Sequence, residues 1–296
     1  MIGGLLLALV SAALINIGFL LQHRGLRGGA SLAGIARLRF GLRNRSWRGG
    51  QALGWTGFGA QIAAVAIAPL ALVQAFAAGG LALSVPLAAG IFHHRITRPQ
   101  VVAALVIAAG LATLPIGFST ARDHLGADAL AICLVVATVA GIVFARIPAA
   151  WSRAIAAGSF YGVADAAIKA LSLDWRQHGA TALASGWTVM AAAGTFAGFL
   201  AFQAALQDDG AVPAISLMNA VAALVALGCG LGAFGESLGT SAGAVAVHVV
   251  AIAVVLAGVP VLAGAQATIV EAADERHERP PPRPGPGSLP AAQRSG

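Results

Sequence analysis

Apolar runs close to twenty residues long recur along almost the whole chain, and about 20 apolar residues in a helix cross the roughly 30 Å hydrocarbon core of a bilayer. Nine such runs are visible: 2–21, 51–68, 70–92, 100–118, 128–145, 154–173, 182–206, 213–234 and 242–266. Of the 296 residues 58% are hydrophobic and only 10% are charged, whereas a soluble chain carries about 25% charged residues. Together these features exclude a soluble globular fold. They predict an all-α, polytopic membrane protein with about nine transmembrane helices.

The formal net charge of +7 does not point to nucleic acid, because the basic residues lie in short segments between the runs, where they set orientation. No basic residue precedes the first run, as a secretory signal peptide would require, so that run is read as a span. A polar stretch at 22–50 follows it with Arg24, Arg27, Arg37, Arg39, Arg43, Arg45 and Arg48 and no acid. The positive-inside rule makes this an Arg-rich cytoplasmic loop. The N-terminus is then outside and, after nine spans, the C-terminus is cytoplasmic, in a plasma membrane. On that parity the cytoplasmic segments hold fifteen basic residues, against Arg122 and Arg176 outside. Asp208 and Asp209 fall on the inner side, but acids contribute little to orientation. At Ala68-Pro69 two spans meet with almost no loop, and Pro69 is suited to begin a helix because its missing N–H is not needed there. The Pro-rich segment 267–296 is expected to be a disordered cytoplasmic tail. Cys133 and Cys229 lie inside apolar runs and are read as packing residues.

Two stretches share a layout of proline-led apolar helix, polar break and glycine-rich apolar helix. One runs from Ala68-Pro69-Leu70 through Gln74 and Gly80 to His93-His94-Arg95 and Gly110. The other runs from Val212-Pro213-Ala214 through Asn219 and Gly228 to Gly235-Glu236-Ser237 and Gly258. Five spans separate the equivalent helices, and an odd displacement reverses their direction. This predicts an inverted repeat with a first transmembrane half at 1–118 (four helices), a second at 128–266 (five helices), and a solute site near the midplane between them.

With these features the chain resembles the drug/metabolite transporter superfamily, built from two EamA-type halves. Gly235-Glu236 with Leu238 is similar to the Gly-Glu signature that closes each half. Within the superfamily the chain is most similar to the NIPA-type magnesium transporters. The similarity lies in Gly18-Phe19-Leu20-Leu21-Gln22-His23-Arg24-Gly25-Leu26, in Ala68-Pro69 with Leu72-Val73, and in Gly158-Ser159 with Val163 and Lys169-Ala170. The resemblance implies a transporter over residues 1–266. The chain departs from the pattern at Ala60-Gln61 and Ala64, where the NIPA-type element carries Gly-Glu and then Asn. It departs again at His93-His94, in the place equivalent to Gly235-Glu236. Because Mg²⁺ is held by one or two carboxylates, these departures make magnesium the runner-up cargo.

Ionisable residues within spans cost at least about 2.5–3.5 kcal/mol and are functional candidates by default. Asp165 and Lys169 are four apart on one helical face, where they can pair. That pairing can lock helix packing or serve solute or proton binding, and Lys169 is the one of the two that matches the family pattern. His248 sits mid-span, as a titrating group or a hydrogen-bonded packing residue. Glu236 is read as a helix-boundary residue whose exposure makes its charge affordable. The amides Asn16, Gln61, Gln74, Gln203 and Asn219 offer donors and acceptors to a polar solute or act as interhelical glue. Gln74 and Asn219 occupy similar places in the two repeat helices. The eight residues Asn16, Gln61, Gln74, Asp165, Lys169, Gln203, Asn219 and His248 are therefore the candidate substrate-binding set. No catalytic residue, metal site or cofactor is expected, since His93-His94 lacks Cys or acidic partners and is read as an interface feature.

The expected function is a non-enzymatic secondary transporter that moves a small polar solute or ion by alternating access. No Walker-type loop is present to drive it with nucleotide. Magnesium transport of NIPA type is the alternative cargo, and a noncatalytic membrane scaffold or partner subunit is the alternative class. The expected partners are the solute and the lipid bilayer, whose anionic headgroups the Arg-rich loop with Trp47 and Trp55 can attract. Nucleic acid is not expected, and a homodimer is left open.

Overall fold

A computed structural model of the chain describes residues 2–26, 34–80, 97–120, 125–205 and 211–258. The expectations that concern His93-His94, Asp208, Asp209 and the tail at 267–296 lie outside the described residues. The architecture is all-α. Its helices are α1 (Ile2–Leu26), α2 (Gly34–Arg43), α3 (Arg45–Ile67), α4 (Leu70–Gly79), α5 (Arg98–Thr113), α6 (Ala127–Ala145), α7 (Ala150–His178), α8 (Gly186–Ala205), α9 (Ala211–Ala233) and α10 (Ala242–Gly258). A 3₁₀ turn, Gly179–Ala184, links α7 to α8. Two very short strands, β1 (Ser119–Thr120) and β2 (Glu236–Ser237), pair antiparallel. Among the described residues four segments are long and apolar enough to cross a membrane: Ile2–Gln22, Ala127–Ala145, Trp151–Ala184 and Gly186–Ala205. Shorter apolar helices cover Leu70–Gly79, Val101–Thr113, Leu217–Ala233 and Ala242–Gly258.

Local sequence sets several of these boundaries. Asn44 begins α3: its side-chain oxygen accepts the N–H groups of Ser46 at 2.8 Å and Trp47 at 3.3 Å, satisfying two of the donors that a helix start leaves unpaired. At the other end of α3, Pro69 disfavours helical geometry at the residue before it. Ala68 accordingly turns extended, with φ −134 and ψ 162. α7 stops at Gly179, whose φ of +60 and ψ of −139 suit a residue without a Cβ. The stretch 22–50, expected to be a loop, is largely helical where it is described, since α1 continues to Leu26 and α2 occupies Gly34–Arg43.

The helices pack in a recurring scheme. α1 lies along α3, and α7 lies along α8 and α9; α4 rests on α9 and α1, and α6 on α7 and α9. α10 meets the α5 region, where His248 reaches the Leu114 carbonyl and a Cβ on Gly258 would strike Ile107. Lipid tails give little hydrophobic drive between helices, so close van der Waals packing through small residues carries the association. The α1–α3 crossing shows this. A Cβ on Gly18 would lie 2.7 Å from the Gly50 carbonyl oxygen and 3.0 Å from the Gly54 nitrogen, so the two backbones touch. Leu70, Leu72, Leu114, Leu130, Leu134 and Phe202 fill the interior, while Leu6, Val10, Leu105, Val135 and Val136 point outward. An outward apolar surface of this kind suits acyl chains rather than water.

Candidate functional site

The site is organised around the break between α3 and α4. A helix end leaves carbonyls without partners, a helix start leaves N–H groups, and the helix dipole makes the first end negative and the second positive. Here both needs are met from the second half of the chain. The Lys169 ammonium on α7 donates to the carbonyls of Val65 at 3.1 Å and Ala68 at 2.8 Å. One helical stretch further along α7, Arg176 donates to the Ala66 carbonyl at 2.6 Å. On the other side of the break, the Glu236 carboxylate accepts the N–H of Leu70 at 2.5 Å and of Ala71 at 2.8 Å. A cation thus meets the carbonyl end of α3, and an anion meets the amide end of α4.

Glu236 is only 5% exposed. Exposure therefore does not make its charge affordable, contrary to the sequence reading; two charge-assisted hydrogen bonds to backbone do. Gly230 leaves room for this carboxylate, because a Cβ there would run into it.

Held in this way, α4 faces a cavity of about 1020 Å³ walled by α1, α3 and α4 on one side and by α7, α8 and α9 on the other. Five of the eight candidate residues line it: Asn16, Gln61, Gln74, Asp165 and Asn219. Gln74 on α4 reaches across to α7, where its amide Nε2 donates to Asp165 Oδ2 at 2.6 Å. Gln61 accepts from the Ser11 hydroxyl at 3.2 Å, which also lies 2.7 Å from the Gly57 carbonyl. Asn16 donates through Nδ2 to the Ala12 carbonyl at 2.8 Å. Among the described residues Asp165 is the only acid on the wall, most of which is apolar and aromatic.

The other three candidates stand outside the lining. Lys169 shares a helix with Asp165 as expected, but its ammonium reaches the α3 carbonyls. Gln203 donates to Gln22 at 3.3 Å, tying α8 to α1. His248, 1% exposed, has Nδ1 2.7 Å from the Ala244 carbonyl and Nε2 3.0 Å from that of Leu114, with Phe118 edge-on at 6.0 Å. Tyr161, one turn before Asp165 on α7, also lines the cavity and escaped the sequence reading. Glu236 was read as a helix-boundary residue, and its role as the anchor of the α4 start was missed. The signal for Glu236 was present in the proline-led helix at Pro69, whose first N–H groups needed an acceptor. Cys133 and Cys229 are free. Among the described residues no group of three or more His, Cys, Asp or Glu side chains is placed to hold a metal ion.

No family model matches the chain, and no curated protein or solved structure matches it either.

Proposed function

We propose that the chain is a secondary transporter of the drug/metabolite type that moves a small polar solute or ion across the plasma membrane by alternating access of two inverted halves. The observation that carries this reading is the cavity of about 1020 Å³ bounded by three helices from each half, with Asp165, Gln74, Asn16, Gln61 and Asn219 set in a mostly apolar wall. Transport sites have this character: concave, largely apolar, with a few polar groups that fix orientation. The helix scheme supports the inverted repeat. If α1, α3, α4 and α5 correspond to α7, α8, α9 and α10, then the α1–α3 pairing is repeated by α7–α8. On the same correspondence α4 rests on its own counterpart α9, and α5 on α10. Helices that contact their own counterparts are what a two-fold axis through the centre would produce. Nine spans, with the N-terminus outside and the C-terminus cytoplasmic, complete the proposal.

The test is uptake into vesicles reconstituted with the full-length protein, across a broad panel of labelled polar solutes and ions that includes Mg²⁺. The reading expects solute-selective flux above protein-free vesicles. Asp165→Asn should lower that flux about tenfold or more, the scale of one lost hydrogen bond to a charged group. Absence of flux for every solute would remove the proposal.

A further inference from the structure

We propose that the cavity takes a protonated organic amine, an N–H-bearing ammonium carried on an apolar or aromatic body. The inference rests on the transporter reading only in naming the solute of that same site; its observations concern recognition.

Three features of the wall converge. The first is charge. Asp165 is the only acid lining the cavity among the described residues, and an ionised carboxylate is an acceptor with room for several donors. Gln74 supplies one of those donors, to Oδ2.

The second feature is an acceptor left over. The Asn16 amide nitrogen already donates to the Ala12 carbonyl, which fixes the amide orientation, and its Oδ1 is buried with no hydrogen-bond partner. A buried acceptor without a donor is costly. Asn16 lines the cavity, so a small turn of its side chain brings this acceptor to an N–H-bearing solute and relieves that cost, which a carboxylate or phosphate cannot do.

The third feature is the aromatic wall. Phe19, Phe58, Tyr161 and Phe199 are half-buried and line the same space. Aromatic faces attract cations electrostatically and accept an apolar body as well.

The two basic side chains nearby do not reverse this preference. Lys169 donates to the Val65 and Ala68 carbonyls and does not line the cavity. Arg176 does line it, but donates to the Ala66 carbonyl and stands about 16 Å along α7 from Asp165, at 1.5 Å per residue. The charged head of an amine therefore belongs at the Asp165 end.

The test uses purified full-length protein and three probes of one shape: phenethylammonium, its uncharged carbon isostere propylbenzene, and the anion phenylacetate. Binding is read by calorimetry and by quenching of tryptophan fluorescence, since Trp55 and Trp175 line the cavity. The ammonium should bind about tenfold or more tighter than propylbenzene, and phenylacetate should not compete. Asp165→Asn and Asn16→Leu should each weaken the ammonium by about tenfold, one charge-assisted hydrogen bond, while Asp165→Glu keeps it. The comparison of probes on the unaltered protein stands even if a variant fails to fold. Equal binding of propylbenzene, preference for phenylacetate, or unchanged ammonium affinity in both folded variants would overturn the inference. Asp165-dependent binding of the amine together with absence of flux for every solute upholds the recognition and removes the transporter reading. Selective flux of another solute with no ammonium binding does the reverse.

Discussion

Lys169 and Glu236 each direct a buried charge at backbone on either side of the Ala68-Pro69 break, and Arg176 adds a third contact to the same helix end. Leaving a buried donor or acceptor unpaired costs about 1–3 kcal/mol per group. Glu236→Ala strands the N–H groups of Leu70 and Ala71, and is expected to destabilise the protein by about 2–4 kcal/mol on that scale. Thermal unfolding in detergent measures this, and Glu236→Gln, which keeps one oxygen acceptor, should lose less. Lys169→Met strands the Val65 and Ala68 carbonyls and should fall in the same range. Gln74→Leu is a different kind of change: it removes the donor to Asp165 without touching the break. It should therefore depress solute flux far more than thermal stability, as a flux assay and an unfolding curve on one preparation would show. At this scale the sequence was partly legible. The i, i+4 spacing put Asp165 and Lys169 one turn apart on the same helix, because that follows from the helical period alone. It could not say that Asp165 meets Gln74 while Lys169 meets α3, since those partners lie about a hundred positions away in the chain. Glu236 was misjudged for the same reason. Its neighbours in sequence mark a helix boundary, whereas its neighbours in space are the amides of a distant helix start.

The helices themselves follow from short-range chemistry, and their ends were the least visible part. Pro69 forecast a break, and α3 and α4 meet there with only Ala68 and Pro69 between them. The span at 154–173 proved to be the middle of the longer α7, Ala150–His178. Its polar last turns, with Asp174, Arg176 and His178, lowered the apolar signal without ending the helix. Asn44 was not singled out as a cap. Asn44→Ala should cost about 1 kcal/mol through loss of the two N–H contacts at the start of α3, measured as a shift in the unfolding midpoint. Packing between helices gives a stronger test. Gly50 sits against the Gly18 carbonyl, so Gly50→Leu forces α1 and α3 apart. The expected result is loss of folded protein in size-exclusion chromatography, whereas Gly49→Leu, with open space at its Cβ, should be tolerated.

At the scale of the whole molecule, the length of the apolar runs was enough to fix an all-helical chain with helices that can cross a membrane, because that depends only on bilayer thickness and backbone hydrogen bonding. The two proline-led helices were visible, and the inverted repeat drawn from them is part of the proposed function. A solute site between the halves was expected from the repeat, but the residues that wall the cavity were only partly foreseen, because the lining depends on which faces of six helices converge, and neither periodicity nor spacing sets those angles. On the proposed function, this cavity is a passage whose access alternates between the two membrane faces. One measurement tests that most directly. With Cys133 and Cys229 replaced by Ala, Thr195→Cys places a single thiol on the cavity wall. A membrane-impermeant thiol reagent is then applied to oriented vesicles from each face in turn, with and without a solute gradient. The account predicts that the thiol reacts from both faces, with the balance shifted by the gradient. Labelling from one face only under every condition, or from neither, would contradict it.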